Sequence, residues 1–112
     1  MRQSLDAGHA VHLKSINTIA DGLAAPYAGE IPFEMVKRYA EDVVVIDDDA
    51  IARAVPELLL STKLLAETAG AAATAAVLTR AIPVKQGERV AVIVSGGNID
   101  IPKLSGLLKA GS

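Results

Sequence analysis

Cysteine and tryptophan are absent from this sequence, and aromatic residues make up only 3% of it. The lack of cysteine excludes disulfides, thiolate metal sites and a cysteine nucleophile. The scarcity of aromatic residues means that any core must consist of alanine, valine, leucine and isoleucine. Hydrophobic residues account for 51% of the 112 residues, which is enough to build the core of one small domain.

Long apolar runs and a strong charge excess are also missing. The longest apolar stretch, Ala69–Leu78, is interrupted by Gly70 and Thr74 and is shorter than the roughly 18 residues that span a bilayer. The first residues lack the apolar segment of a signal peptide. The net charge of −2, with both signs interspersed, gives no reason to expect nucleic-acid binding. We therefore expect a cytoplasmic protein with neither a membrane nor a nucleic acid as partner.

Two apolar runs of strand length predict buried strands. Asp42–Ile46 is rich in β-branched residues, and Val90–Val94 has the same character. Apolar residues at helical spacing predict helices around them. The predicted helices are Pro32–Tyr39, a segment from Ile51 to Leu65 with Asp47–Asp49 as its N-terminal cap, Ala69–Thr79 and Pro102–Lys109. Pro56 lies within the second of these helices and predicts a kink or a late start there.

The order of these elements predicts a single partial α/β domain over residues 1–112. Residues 1–30 are rich in glycine, alanine and polar residues and predict mostly loop, whereas residues 31–112 run helix, strand, helix, helix, strand, helix. This alternation favours a parallel sheet covered by helices. A doubly wound sheet usually has about four or more strands, so two strands form only part of one. Their unpaired edges and apolar faces predict association with another chain.

The segment Ser95-Gly96-Gly97-Asn98 directly follows the second predicted strand. Ligands of open α/β sheets bind at the carboxyl ends of the strands. Gly96 and Gly97 leave backbone N–H groups free to face an anion, and the Ser95 hydroxyl can bond to a ring nitrogen. The alternative is a tight strand-to-helix turn with a glycine at positive φ, which uses the same residues and binds nothing.

Two further segments have both a structural and a ligand-binding interpretation. Asp21-Gly22 is a turn signal, but Gly22 also lets a flat ligand lie against bare backbone. Glu67, before an alanine-rich helix, either favours the helix dipole or contributes to a site. Neither the run Asp47–Asp49 nor the two histidines have the spacing of a metal site, so we expect no metal ligand.

Four motifs of the sequence resemble a known family when they are taken together. They are Thr18-Ile19-Ala20-Asp21-Gly22-Leu23, Asp42 to Asp47, Lys63 to Ala71 and Val94-Ser95-Gly96-Gly97-Asn98. In this order they resemble the carboxyl-terminal part of the threonine ammonia-lyases (threonine dehydratases), in the pyridoxal-phosphate family that includes serine racemase and serine dehydratase. The resemblance extends from about Met1 to Leu108. It implies a partial three-layer αβα parallel-sheet unit, the carboxyl-terminal portion of the large domain of a fold-type II pyridoxal-phosphate enzyme.

The resemblance also implies which residues face the cofactor, pyridoxal phosphate. Ser95 matches the serine whose hydroxyl contacts the pyridine nitrogen, and Gly22 matches the glycine against one face of the ring. Gly96 and Gly97 would keep the ring edge uncrowded. Glu67 matches a glutamate near the pyridine end, although Thr68 follows it where the family often has proline. A neutral hydroxyl leaves the ring nitrogen unprotonated, which suits β-elimination.

The family residues that perform the reaction have no counterpart in this chain. The resemblance places the Schiff-base lysine, the asparagine at the ring hydroxyl, the phosphate loop and the metal-binding carboxylates in an amino-terminal portion that is not present here. The parent activity that it implies is deamination of L-threonine or L-serine, an amino-acid substrate, to a 2-oxo acid and ammonia. Because no catalytic residue is present, we expect the chain to be inactive alone.

Other functions fit the residues as well. The partners implied by the resemblance are the missing amino-terminal portion and further copies in a homo-oligomer. A non-catalytic small α/β module that associates with itself through its strand edges is one alternative. An anion-binding module that uses Ser95–Asn98 at the start of a helix is another.

Overall fold

The structure, a computed structural model, describes residues 1–110 and is mainly helical. The chain divides into two compact units, one formed by residues 1–17 and 24–45 and the other by residues 18–23 and the chain from residue 46 onward. The helices are α1 (Arg2–Ala7), α2 (Glu30–Tyr39), α3 (Asp48–Thr62), α4 (Ala72–Leu78) and α5 (Ile101–Ala110), with short 3₁₀ turns at Asp21–Leu23 and Ala69–Ala71.

The first unit contains α1 and α2. Phe33 on α2 is 1% exposed and is the largest buried side chain there, so the prediction of a core without aromatic residues is wrong for this unit. His12 and Tyr27 form an isolated antiparallel bridge, and their rings stack with centroids 3.9 Å apart. The sequence does not predict α1, which lies within the mostly loop region of residues 1–30, has no long apolar period to reveal it and ends at Gly8 with φ of 77°.

The second unit is built around α3. The Asp47 carboxylate accepts a hydrogen bond from the backbone N–H of Ala50 at 2.7 Å, which satisfies one of the free donors of the first turn. One face of α3 packs with alanines from neighbouring segments, whose small side chains permit close approach. The buried core residues of this unit are Ala20, Ala50, Ile51, Ala54, Val55, Leu58, Ala66, Ala71 and Ala75.

Pro56 does not delay the start of α3, which was one of the two effects predicted for it. The helix begins at Asp48 and continues through Pro56 to Thr62. Proline in a helix interior costs about 3 kcal/mol because one backbone hydrogen bond is lost. Pro56 is buried beside Val55, and the burial of this apolar face offsets that cost.

The two predicted strands are not strands in the structure. Neither Asp42–Ile46 nor Val90–Val94 joins a β-ladder among the residues described. Ile93 is 82% exposed and Val45 is 71% exposed, although both belong to runs typical of buried strands. A strand needs the backbone of a second strand, and residues 1–110 supply none for either run. The layered parallel sheet therefore remains a prediction.

A helix that crosses a membrane must be both long and apolar. Across residues 1–110, no helix combines the length and the apolar character required to cross a bilayer.

Candidate functional site

The backbones of Glu67 and Gly96 are hydrogen-bonded to each other. The Glu67 N–H donates to the carbonyl oxygen of Gly96 at 3.1 Å. Gly96 has φ of +70°, and a Cβ built there would lie 2.6 Å from the carboxylate carbon of Glu67. The lack of a side chain at Gly96 therefore makes room for the Glu67 carboxylate. A side chain at Gly97 would also be crowded, because its Cβ would lie 3.0 Å from the carbonyl oxygen of Leu65.

Gly70 brings the Ser95 backbone against the 3₁₀ turn Ala69–Ala71. A Cβ at Gly70 would lie 1.6 Å from the carbonyl oxygen of Ser95, a distance that no real side chain could occupy. Gly70 is buried, and its lack of a side chain is therefore a packing requirement. Ser95 itself is exposed, and no hydrogen bond to its hydroxyl is found within residues 1–110.

Gly22 lies in the 3₁₀ turn Asp21–Leu23, beside the same cluster. A Cβ at Gly22 would lie 2.9 Å from the Cβ of Ala69 and 3.4 Å from Oε1 of Glu67. The structure thus brings together all five predicted site residues, which come from three separate segments of the second unit. They are Gly22, Glu67, Ser95, Gly96 and Gly97.

The segment before Gly22 is held by side chains on two sides. Asp48 accepts hydrogen bonds from the Thr18 hydroxyl at 2.6 Å and from the backbone N–H of Ile19 at 3.0 Å. On the other side, the Ile19 carbonyl oxygen accepts from the Thr68 hydroxyl at 2.7 Å and from Nζ of Lys103 at 2.9 Å. These bonds fix the course of the chain directly before Gly22.

A match to a protein-family model supplies the identification. The model of the pyridoxal-phosphate dependent enzymes matches residues 1–96 of this chain. The chain belongs to this family. This membership agrees with the resemblance on which the site residues were predicted.

Several relatives within the family are similar to this chain over most of its length. The L-threonine ammonia-lyase of Thermotoga maritima is 40% identical over 111 residues, which is 99% of this chain and 27% of the relative. The structure of maize serine racemase matches with a TM-score of 0.82 at 34% identity, covering 99% of this chain and 36% of that one. Threonine deaminase isoform 2 of Solanum lycopersicum matches with a TM-score of 0.81 at 29% identity, over 96% of this chain and 32% of its own. The chain thus spans about a quarter to a third of the length of these proteins.

The side chains of the cluster are suited to one end of the family's cofactor. Ser95 offers an exposed hydroxyl that can bond a ring nitrogen, and Glu67 offers a half-buried carboxylate nearby. Exposed backbone at Gly22 and Gly97 provides flat surface. No arginine or lysine side chain is bonded to Glu67 within the described chain. This donor set fits the pyridine end of the cofactor and contains nothing that resembles a phosphate cradle.

Three residues that hold this cluster together were missed from the sequence. The sequence shows Gly70 only as a break in an apolar run and as part of a motif, Thr68 only as the replacement of a proline, and Lys103 only as part of the predicted helix Pro102–Lys109. Each acts through a partner that is distant in sequence, so no local pattern could identify it.

A metal site was not predicted, and residues 1–110 contain no cluster of three or more histidine or acidic side chains that could hold a metal ion.

Proposed function

We propose that this chain forms the pyridine-end wall of the cofactor pocket in a pyridoxal-phosphate-dependent ammonia-lyase. The proposed reaction converts L-threonine to 2-oxobutanoate and ammonia by β-elimination, with L-serine as the alternative substrate. The observation that carries the proposal is the cluster of Glu67 and Gly96, hydrogen-bonded at 3.1 Å, with Ser95 packed directly beside it. Family membership and the threonine ammonia-lyase relative support the same conclusion.

Each residue of the wall has a distinct proposed role. The Ser95 hydroxyl bonds the ring nitrogen and, being neutral, leaves that nitrogen unprotonated. Gly22 presents bare backbone to one face of the ring, and Glu67 provides a carboxylate at the pyridine end. Gly96 and Gly97 keep side chains away from the ring edge. The bound cofactor supplies the electron sink that makes the Cα proton of the amino acid acidic.

The remainder of the pocket is proposed to come from a portion outside these 112 residues. This portion carries the Schiff-base lysine that abstracts the Cα proton and the loop that binds the phosphate. The coverage of 27% of the Thermotoga maritima relative supports this interpretation. We therefore expect the isolated chain, mixed with pyridoxal phosphate and threonine, to release no 2-oxobutanoate. Robust turnover would contradict this part of the proposal.

A chimaera tests the wall itself. Residues 1–112 replace the matching segment of the Thermotoga maritima L-threonine ammonia-lyase, and cofactor absorbance and 2-oxobutanoate release are measured. We expect an active chimaera that loses about tenfold in cofactor affinity with Ser95→Ala, the upper range for one hydrogen bond. Ser15→Ala, at an exposed serine outside the cluster, is the matched control. Equal cofactor affinity in the Ser95→Ala and parent chimaeras would exclude the proposed contact.

Self-association is a second candidate function, and it is supported by the exposed apolar run at residues 90–94. Val90, Val92 and Ile93 are 46%, 41% and 82% exposed.

Anion binding has less support, because Asp100 places a carboxylate at the start of α5. Its Oδ1 accepts from the Lys103 N–H at 2.7 Å, a donor that an anion would otherwise use.

A further inference from the structure

The carbonyl oxygen of Ile19 accepts two hydrogen bonds from distant side chains. The Thr68 hydroxyl donates at 2.7 Å and Nζ of Lys103 donates at 2.9 Å. A carbonyl oxygen has two lone pairs, so both donors can be accommodated together. Thr68 is only 3% exposed, which makes its contact a well-shielded one.

The two donors come from the two segments that carry the other site residues. Thr68 directly follows Glu67 in the chain. Lys103 lies in the first turn of α5, the helix that begins shortly after the Ser95–Asn98 segment. Ile19 itself stands three residues before Gly22. One carbonyl group therefore joins all three segments of the candidate site.

Lys103 makes a second contact within the same loop. Its Nζ lies 2.9 Å from Oδ2 of Asp21, the residue directly before Gly22. The Asp21 side chain is 80% exposed and the Lys103 side chain is 31% exposed. Ion pairs this exposed contribute little to stability. The contact therefore affects the position of the loop more than its stability. Together with the bond to the Ile19 carbonyl oxygen, it ties the loop to Lys103 at two residues.

We propose that Lys103 is a positioning residue that holds the Gly22 loop in register with the Ser95 segment. Its ammonium group spans the loop from Ile19 to Asp21, while its backbone belongs to the helix that follows Ser95. Within residues 1–110, the side chain of Lys103 is bonded to Ile19 and Asp21 and makes no hydrogen bond or ion pair with any of the five predicted site residues, so it acts through the loop. The consequence for the cofactor rests on the proposed function, whereas the positioning of the loop does not.

Amide hydrogen exchange on the full chain, followed by NMR, tests the positioning directly. The Leu23 N–H donates to the Ala20 carbonyl oxygen at 2.8 Å and reports on opening of the loop. Lys103→Met keeps the apolar stem but removes the donor, and we expect the exchange rate of Leu23 to rise about fivefold or more. Lys103→Arg should restore slow exchange. Lys109→Met, at an exposed lysine on the same helix, is the matched control and should leave Leu23 unchanged.

A milder variant covers the case in which Lys103→Met fails to fold. Asp21→Asn removes one charge at an exposed site and leaves the lysine in place, so a smaller rise in Leu23 exchange is expected. Unchanged exchange at Leu23 in this variant, with Lys103→Met either unchanged or unfolded, overturns the proposal. Faster exchange with both substitutions, and its reversal by Lys103→Arg, supports it.

The chimaera separates this inference from the proposed function. Fluorescence of pyridoxal phosphate bound to the chimaera reports the surroundings of the ring without depending on turnover. We expect Lys103→Met to shift that emission and Lys109→Met to leave it unchanged. If the parent chimaera binds no cofactor, the proposed function fails while the exchange result on the loop still stands. If the parent chimaera binds cofactor, and Lys103→Met changes neither the cofactor emission nor the Leu23 exchange rate, the positioning role of Lys103 is excluded while the proposed function stands.

Discussion

Glu67 and Gly96 are hydrogen-bonded through their backbones, and the Glu67 carboxylate lies close to Gly96. The Glu67 N–H donates to the Gly96 carbonyl oxygen at 3.1 Å, and the carboxylate of Glu67 occupies the space that a side chain at Gly96 would fill. This relationship gives Glu67 its place in the candidate site. It also makes Gly96 necessary on two grounds, the positive φ of 70° and the proximity of the carboxylate.

Gly96→Ala should therefore destabilise the chain and displace the Glu67 carboxylate. An L-residue in the left-handed region costs roughly 1–2 kcal/mol, and the flexible Glu67 side chain can move aside to relieve the remaining clash. Urea unfolding measures the first effect, and the side-chain NMR signals of Glu67 measure the second. Gly106→Ala, on α5 with nothing within 4 Å of the new Cβ, is the control and should be neutral or stabilising by up to about 1 kcal/mol.

Gly70→Ala should cost more than Gly96→Ala because its clash is with backbone. The new Cβ would lie 1.6 Å from the Ser95 carbonyl oxygen, which no rotamer change can relieve. Overpacking a buried site typically costs about 1–3 kcal/mol, and a shift of the Ser95 segment places this substitution at or above the upper end. The free energy of unfolding in urea gives the comparison. A loss smaller than that of Gly96→Ala would show that the Ser95 segment yields easily.

The Tyr27 hydroxyl should titrate above its ordinary range. It donates to Oε1 of Glu30 at 2.8 Å, and this bond to the carboxylate, together with partial burial, raises the pKa of Tyr27 above 10.0. The bond stabilises the protonated phenol, so its contribution is present below pH 10.0 and is lost as the pH rises through the raised pKa. Ultraviolet titration of Glu30→Gln should show the Tyr27 pKa lowered, with Glu34→Gln as the control that leaves it raised.

Self-association through the exposed run at residues 90–94 should depend on Ile93. This side chain is 82% exposed, and a lysine there would place a charge in an exposed apolar segment. Sedimentation of Ile93→Lys should show a smaller associated fraction than the parent chain. Ile31→Lys, at a 75% exposed isoleucine on α2, controls for the general loss of apolar surface. A strictly monomeric parent chain would count against self-association altogether.

The sequence by itself determined the local features of this protein. The Asp47 cap and the helices α2 and α5 follow from residues close together in the chain, and each lies within a few residues of its predicted position. Four motifs taken together were sufficient to predict the family, because each is a short run of consecutive residues: Thr18–Leu23, Asp42–Asp47, Lys63–Ala71 and Val94–Asn98.

Tertiary structure alone decided how these pieces meet. The Ile19 carbonyl oxygen accepts hydrogen bonds from Thr68 and Lys103, which lie 49 and 84 positions further along the chain. No local sequence pattern can reveal such contacts. The packing of Gly70 against Ser95 has the same origin. Conversely, the run Val90–Val94 has the composition of a strand but forms none within residues 1–110, because a strand exists only when a second backbone accepts its hydrogen bonds.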